Sequence, residues 1–184
     1  MTERSDSMWM RLIDKYYSDN QPLRDLLILH SRLVADKALK VAAAHPELNL
    51  DVRFLEEASM LHDIGIFLTD APSIHCFGKN HYICHGYLGA DLLRDEGLPL
   101  HALVAERHTG TGLTLKQILE RDLPVPHRDM IPLSMEEKVI CFADKFFSKT
   151  HPDEEKTVEQ AEYSLSKFGQ EGVNIFRGWC KLFL

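Results

Sequence analysis

The 184-residue sequence contains no Cys-x-x-Cys pair, no internal repeat, no low-complexity segment and no run of alternating β-branched residues. Its four cysteines, Cys76, Cys84, Cys141 and Cys180, are too scattered for a structural zinc site or a dithiol motif, so they read as reduced thiols. Without strand patterning, the expected fold class is all-α. No uninterrupted apolar run approaches membrane-spanning length, and Met1-Thr2-Glu3-Arg4-Ser5-Asp6-Ser7 leads into no apolar h-region; a soluble, cytoplasmic protein with no membrane partner is the expectation. Positive charge is also scarce. With 21 Lys and Arg against 28 Asp and Glu, the formal net charge of -7 argues against an electrostatic grip on nucleic acid or an anionic membrane. A phosphorylated substrate remains compatible, because a bound cation reverses the local sign of a site.

The chain is long enough for one substantial core. Apolar spacing predicts a helix over Met8 to Tyr17, with Trp9, Leu12, Ile13 and Tyr16 inward, within an N-terminal arm spanning 1–22. A longer helix runs from Leu23 to about His45 on Leu26, Leu29, Leu33, Val34, Ala38 and Val41, closes at Pro46, and carries His30 on its apolar stripe. A third begins at the N-cap candidate Asp51 and stops at Gly65, which places His62 and Asp63 on its last turn. Ile66 to Asn80 reads as a loop over a site. Helices follow over His81 to Glu96, Pro99 to Arg107 and Thr114 to Glu120. Ser134-Met135-Glu136-Glu137 is a capping box opening a helix with Val139, Phe142, Ala143 and Phe146 inward and Asp144 beside them. A C-terminal extension, 151–184, forms one or two helices whose apolar end, Ile175 to Leu184, docks on the core or on a second subunit, which leaves a homodimer open.

Histidine is the residue in excess, at ten. Taken singly, His30 or His85 on an apolar helix face reads as a hydrogen-bonded core residue, and a lone Asp as a cap or salt-bridge partner. Taken together, His30, His62, Asp63, His85, His108 and Asp144 put four imidazoles and two carboxylates on inward faces of separate helices, at a desolvation cost that a metal centre would offset. Six N/O ligands exceed the needs of one open catalytic ion and suit two, with Asp63 as the bridging carboxylate. The donor types suit Fe, Mn, Zn or related ions alike; two divalent ions, Fe or Mn, are the expectation, with Zn, Co, Ni or Mg as alternatives.

His30, then His62-Asp63-Ile64-Gly65, then Asp144 resembles the H...HD...D pattern, HDIG variety, of HD-superfamily metal-dependent phosphohydrolases. The resemblance covers about Leu23 to Thr150, so 23–150 is taken as an HD-domain helical bundle between the two extensions. His85-Gly86-Tyr87-Leu88-Gly89-Ala90 and Glu106-Arg107-His108-Thr109-Gly110 match the longer H...HD...H...H...D pattern of dinuclear members, as does Glu136-Glu137-Lys138-Val139-Ile140 ahead of Ala143-Asp144-Lys145. Ile66 departs from relatives that carry a basic residue there, and a GYP signature is absent, which disfavours a cyclic-dinucleotide substrate.

The resemblance implies hydrolysis of a phosphoester or phosphoanhydride bond of a small phosphorylated metabolite or nucleotide by a metal-activated hydroxide. Asp63, Lys145 and Arg107 are the catalytic candidates, the latter two as ligands to phosphate oxygens. Lys79 and His81 are weaker candidates, and Thr109 is read as orienting His108 or capping a helix. His45, His75, His101, His127 and His151 are read as solvated. The same ligands also suit a mixed-valent di-iron oxygenase, and a third reading is a non-catalytic nucleotide-sensing module.

Overall fold

The computed structural model describes residues 7–184 and is helical, apart from one two-stranded hairpin among the described residues. Six residues of the proposed arm, 1–6, lie outside the described ones. In α1 (Met8–Tyr17), Tyr17 rather than Tyr16 is the buried aromatic. The Tyr17 hydroxyl donates to the Ile64 carbonyl at 2.7 Å, which ties this helix to the His-Asp turn.

The longest helix, α2 (Gln21–Ala44), begins where the Asn20 side chain accepts the Leu23 amide, with Pro22 in the first turn, where a missing N–H costs nothing. Its buried face is Leu23, Leu27, His30, Val34, Ala38 and Val41. Leu29, expected inward, is 41% exposed, because its neighbour Leu27 takes the core position.

Asp51 caps α3 (Val52–Leu61) by accepting the Phe54 amide at 2.9 Å. The helix ends earlier than expected. His62 is its C-cap and Asp63 lies beyond, in tighter i to i+3 turns in which Ile64 N–H donates to Leu61 and Ile66 N–H to Asp63. Gly65 keeps a right-handed conformation, so a left-handed C-cap is not its role. A Cβ there would lie 2.5 Å from Gly89 N and closer still to the His85 carbonyl, so Gly65 is needed for backbone-to-backbone contact with α4 (His85–Asp95).

The expected loop 66–80 is ordered. It holds a 3₁₀ turn and a hairpin of β1 (Asp70–Ala71) against β2 (Cys76–Phe77), antiparallel, with Asp70 opposite Phe77. A 3₁₀ turn, Tyr82–Cys84, precedes α4, and α5 (Pro99–Arg107) packs on α4 where Gly86 leaves room for the Ala105 carbonyl. Capping boxes open α6 (Leu115–Glu120), α7 (Met135–Asp144) and α8 (Val158–Ser166), at Thr114, Ser134 and Thr157. The last helix, α9 (Gln170–Phe183), docks on the chain's own core: Phe176 stacks on Phe142 at 5.6 Å and Phe183 meets the same ring edge-on at 5.2 Å.

Buried apolar residues fall into three clusters rather than one. His30 lies on α2 between Leu27 of one cluster and Val34 of another; Asp144 follows Ala143, and His85 follows Cys84 of the third. The polar site therefore occupies the junction of the clusters.

Candidate metal centre

The six candidate side chains come from five segments, and five of the six sit at a helix end or just past one. His62 follows α3, Asp63 the turn beyond it, His85 opens α4, His108 follows α5 and Asp144 ends α7; His30 alone is mid-helix. Three histidines are held identically: Nδ1–H donates to the carbonyl three residues earlier, His62 to Ser59 at 2.6 Å, His85 to Tyr82 at 2.6 Å and His108 to Ala105 at 2.7 Å. That bond commits Nδ1 as the donor and turns Nε2 inward.

Those Nε2 atoms converge on Asp63, whose side chain is fully buried. Oδ2 lies 3.0 Å from His62 Nε2 and 3.2 Å from His30 Nε2; Oδ1 lies 3.3 Å from both His85 Nε2 and His108 Nε2. Asp144 Oδ1 is 3.0 Å from His30 Nε2 and 3.5 Å from His62 Nε2. The ligand atoms form two groups, His30, His62, Asp63 and Asp144, and then Asp63, His85 and His108, with Asp63 common to both.

The donor set itself tests whether cations fit. His85 Nε2 and His108 Nε2 are 3.0 Å apart, two lone pairs face to face once both Nδ1 protons are spent on carbonyls. His62 Nε2 and both Asp63 oxygens are buried with no aligned hydrogen-bond donor, although charged neighbours are close. Unpaired lone pairs at this density are costly unless a cation accepts them. The residues thus fit bound cations.

The field around Asp63 is strong. Burial alone would raise its carboxyl; the Lys149 and His62 charges, with the His108 and His30 rings close by, hold it well below the ordinary range. Asp144 is lowered in the same way, against burial, chiefly by Lys145. Burial drives His85 down to about 3, and lowers His108. His62 goes the other way: burial would lower it, but Asp63 and Asp144 raise it to about 9.

Two lysines stand beside the carboxylates. Lys145 Nζ lies 2.8 Å from Asp144 Oδ2 and donates to the His108 carbonyl at 3.1 Å. Lys149 Nζ, unanticipated from the sequence, lies 2.6 Å from Asp63 Oδ2 on a side chain only 12% exposed. No helical spacing signals it, because α7 ends at Asp144 and the residues after it run in tighter turns. Tyr82 was also missed; its ring stacks on His85 at 4.7 Å.

Several expectations need correction. Arg107 does not line the cleft: its Nη1 donates to both carboxylate oxygens of Glu137 at 3.0 and 3.2 Å, joining α5 to α7. Ala105, not Thr109, orients His108. Lys79 and His81 are exposed away from the cleft-lining residues. His101 is not solvated; its ring meets Phe54 edge-on at 4.9 Å, and burial lowers its pKa.

The centre opens into a two-lobed cleft, each lobe about 500 Å³, with Tyr82, Asp144, Lys145, Lys149, Leu165 and Phe168 shared by both. One lobe reaches Ala71, Ser73 and Ile74 of the hairpin region; the other runs over His85 and His108. No helix among the described residues is long and apolar enough to cross a membrane.

The family model described as HD domain matches residues 27–148. The chain is 30% identical over 145 residues to an uncharacterized protein of Methanocaldococcus jannaschii, covering 77% of this chain and 78% of that one. It is also 31% and 28% identical, over 125 residues each, to tRNA (cytidine(56)-2'-O)-methyltransferases of Picrophilus torridus and Thermoplasma volcanium. Those matches span 67% of this chain but only 32% of each methyltransferase. No solved structure gives a significant match.

Proposed function

The chain belongs to the HD-domain family, and from that premise we propose that it is a metal-dependent phosphohydrolase cleaving a phosphoester or phosphoanhydride bond of a small phosphorylated metabolite or nucleotide. One observation carries the reading: Asp63 is shared by two histidine groups, and it and Asp144 each pair with a lysine where the centre meets a cleft. His30, His62, Asp63 and Asp144 would hold one divalent ion and Asp63, His85 and His108 a second, Fe or Mn before Zn, Co, Ni or Mg. When bound, the ions supply a nucleophile from water near neutral pH and positive charge against the phosphoryl oxygens.

The chain's own residues do the rest. The Nδ1–H bonds to Ser59, Tyr82 and Ala105 hold three imidazoles in the ligating tautomer. Asp63 stays ionised at neutral pH and offers an oxygen to each group. Lys145 and Lys149, both cationic at the cleft floor, are placed to hold non-bridging phosphoryl oxygens and to offset charge that grows as the bond breaks. The methyltransferases named above share too little of their length with this chain for their activity on tRNA to be carried across. A small substrate also agrees with the net charge of -7.

The test is elemental analysis of freshly purified protein joined to a phosphate-release screen over nucleotides and sugar phosphates, with Mn(II) and without oxygen. Anaerobic release of phosphate supports hydrolysis. Substrate loss that requires oxygen and releases no phosphate would transfer the site to di-iron oxygenase chemistry. A His62→Ala, Asp63→Ala double variant is expected to lose bound metal, and retained metal would overturn the ligand assignment.

A further inference from the structure

The lobe facing the hairpin carries one cation more than a single phosphoryl group requires. Lys145 and Lys149 are each held by a carboxylate of the centre, at 2.8 and 2.6 Å. Lys156 lines the same lobe and, among the described residues, has no carboxylate within salt-bridge distance. Its neighbour Glu155 is turned away, paired with Lys37 at 2.7 Å. The Lys156 backbone is fixed, since its N–H donates to the Phe146 carbonyl at 2.8 Å, and the side chain is half-buried. Burial lowers its pKa; Asp144 opposes that, and repulsion from Lys145, Lys167 and Lys149 adds to it. Three ammonium groups on one wall repel one another until an anion arrives, and the unpaired one gains most from it. The hydroxyls of Ser148 and Thr150, 2.9 Å apart on the same wall, add donors of the kind phosphate oxygens accept.

We infer that Lys156 forms a second anion subsite, so that the substrate carries two phosphoryl groups, as a diphosphate or bisphosphate, rather than one. The inference rests on the phosphohydrolase reading of the centre, with the reacting phosphoryl group held by Lys145 and Lys149. Lys149 and Lys156 both lie beyond residues 27–148, so this subsite belongs to what the chain adds to the family domain. Lys156 is a specificity-determining residue here, reading charge one group away from the scissile bond.

The experiment is calorimetric titration of the metal-replete protein with inorganic pyrophosphate and with orthophosphate, in wild type, Lys156→Met and Lys156→Arg. Wild type is expected to prefer pyrophosphate, and Lys156→Met to lose about tenfold of that preference, as removal of one charged hydrogen bond implies. Lys156→Arg should restore most of it. No preference in wild type, equal weakening of both ligands by Lys156→Met, or no change in it would each overturn the subsite. Parallel kcat/KM measurements on a phosphomonoester and its diphosphate analogue separate the two claims. A Lys156-dependent pyrophosphate preference without turnover of either compound keeps the subsite and removes the hydrolase reading. Turnover with a selectivity indifferent to Lys156 does the reverse.

Discussion

His62 and His85 flank Asp63 and titrate in opposite directions, which makes the sign of a pH effect readable. With His62 raised to about 9 from 6.5, its proton adds stability in full below 6.5, and that contribution is lost as pH rises through 9. His85, held near 3 by burial, refuses a proton that the unfolded chain takes below 6.5, so stability falls on the acid side. Asp63 and Asp144, both held well below 3.8, act in that same direction at lower pH. Chelator-treated protein should therefore show its highest thermal midpoint near pH 6.5. Saturating Mn(II) should invert the basic limb, because an ion at His62 displaces the proton and binds more tightly as pH rises toward about 9. Scanning calorimetry on both preparations checks this; a midpoint falling with pH in both would remove His62 from the ligands.

At the scale of elements, the contact between the turn after α3 and the start of α4 sets the distance between the two ligand groups. Gly65→Ala places a Cβ against backbone atoms of His85 and Gly89, neither of which can rotate away. The variant should lose about 1–3 kcal/mol or more in urea denaturation. It should also bind fewer metal equivalents by elemental analysis, because His85 is displaced from Asp63. Much of this level was legible. Helix bounds at α1 and α5 and the Ser134 capping box follow from apolar spacing and cap chemistry, which are local. The six candidate ligands, which the fold brings together, are legible as residue types in order. What local rules do not carry is the partner of a long side chain: Arg107 could be aimed at the cleft or at Glu137, and only the packing of α5 on α7 decides. Lys149 was hidden because α7 ends at Asp144, and tight turns, not helical spacing, bring it back to Asp63.

Across the whole molecule, α9 completes the cluster that holds α7. Phe176, fully buried against Phe142 and Phe146, anchors it. Phe176→Ala should cost about 3–5 kcal/mol in urea denaturation while metal content in native buffer stays at the wild-type value. The contrast with Gly65→Ala tests whether the centre depends on local backbone contact or on overall stability. The ligands also lie far apart along the chain: His30 and Asp144, 3.0 Å apart in space, are separated by 114 positions. Such a centre is assembled only when distant segments have met, late on any folding route. Bound ions should then act on escape from the native state rather than on arrival. Free Mn(II) is expected to slow unfolding in a stopped-flow denaturant jump by about tenfold or more while leaving the refolding rate nearly constant. The protein's lifetime, more than its rate of formation, would follow the metal supply.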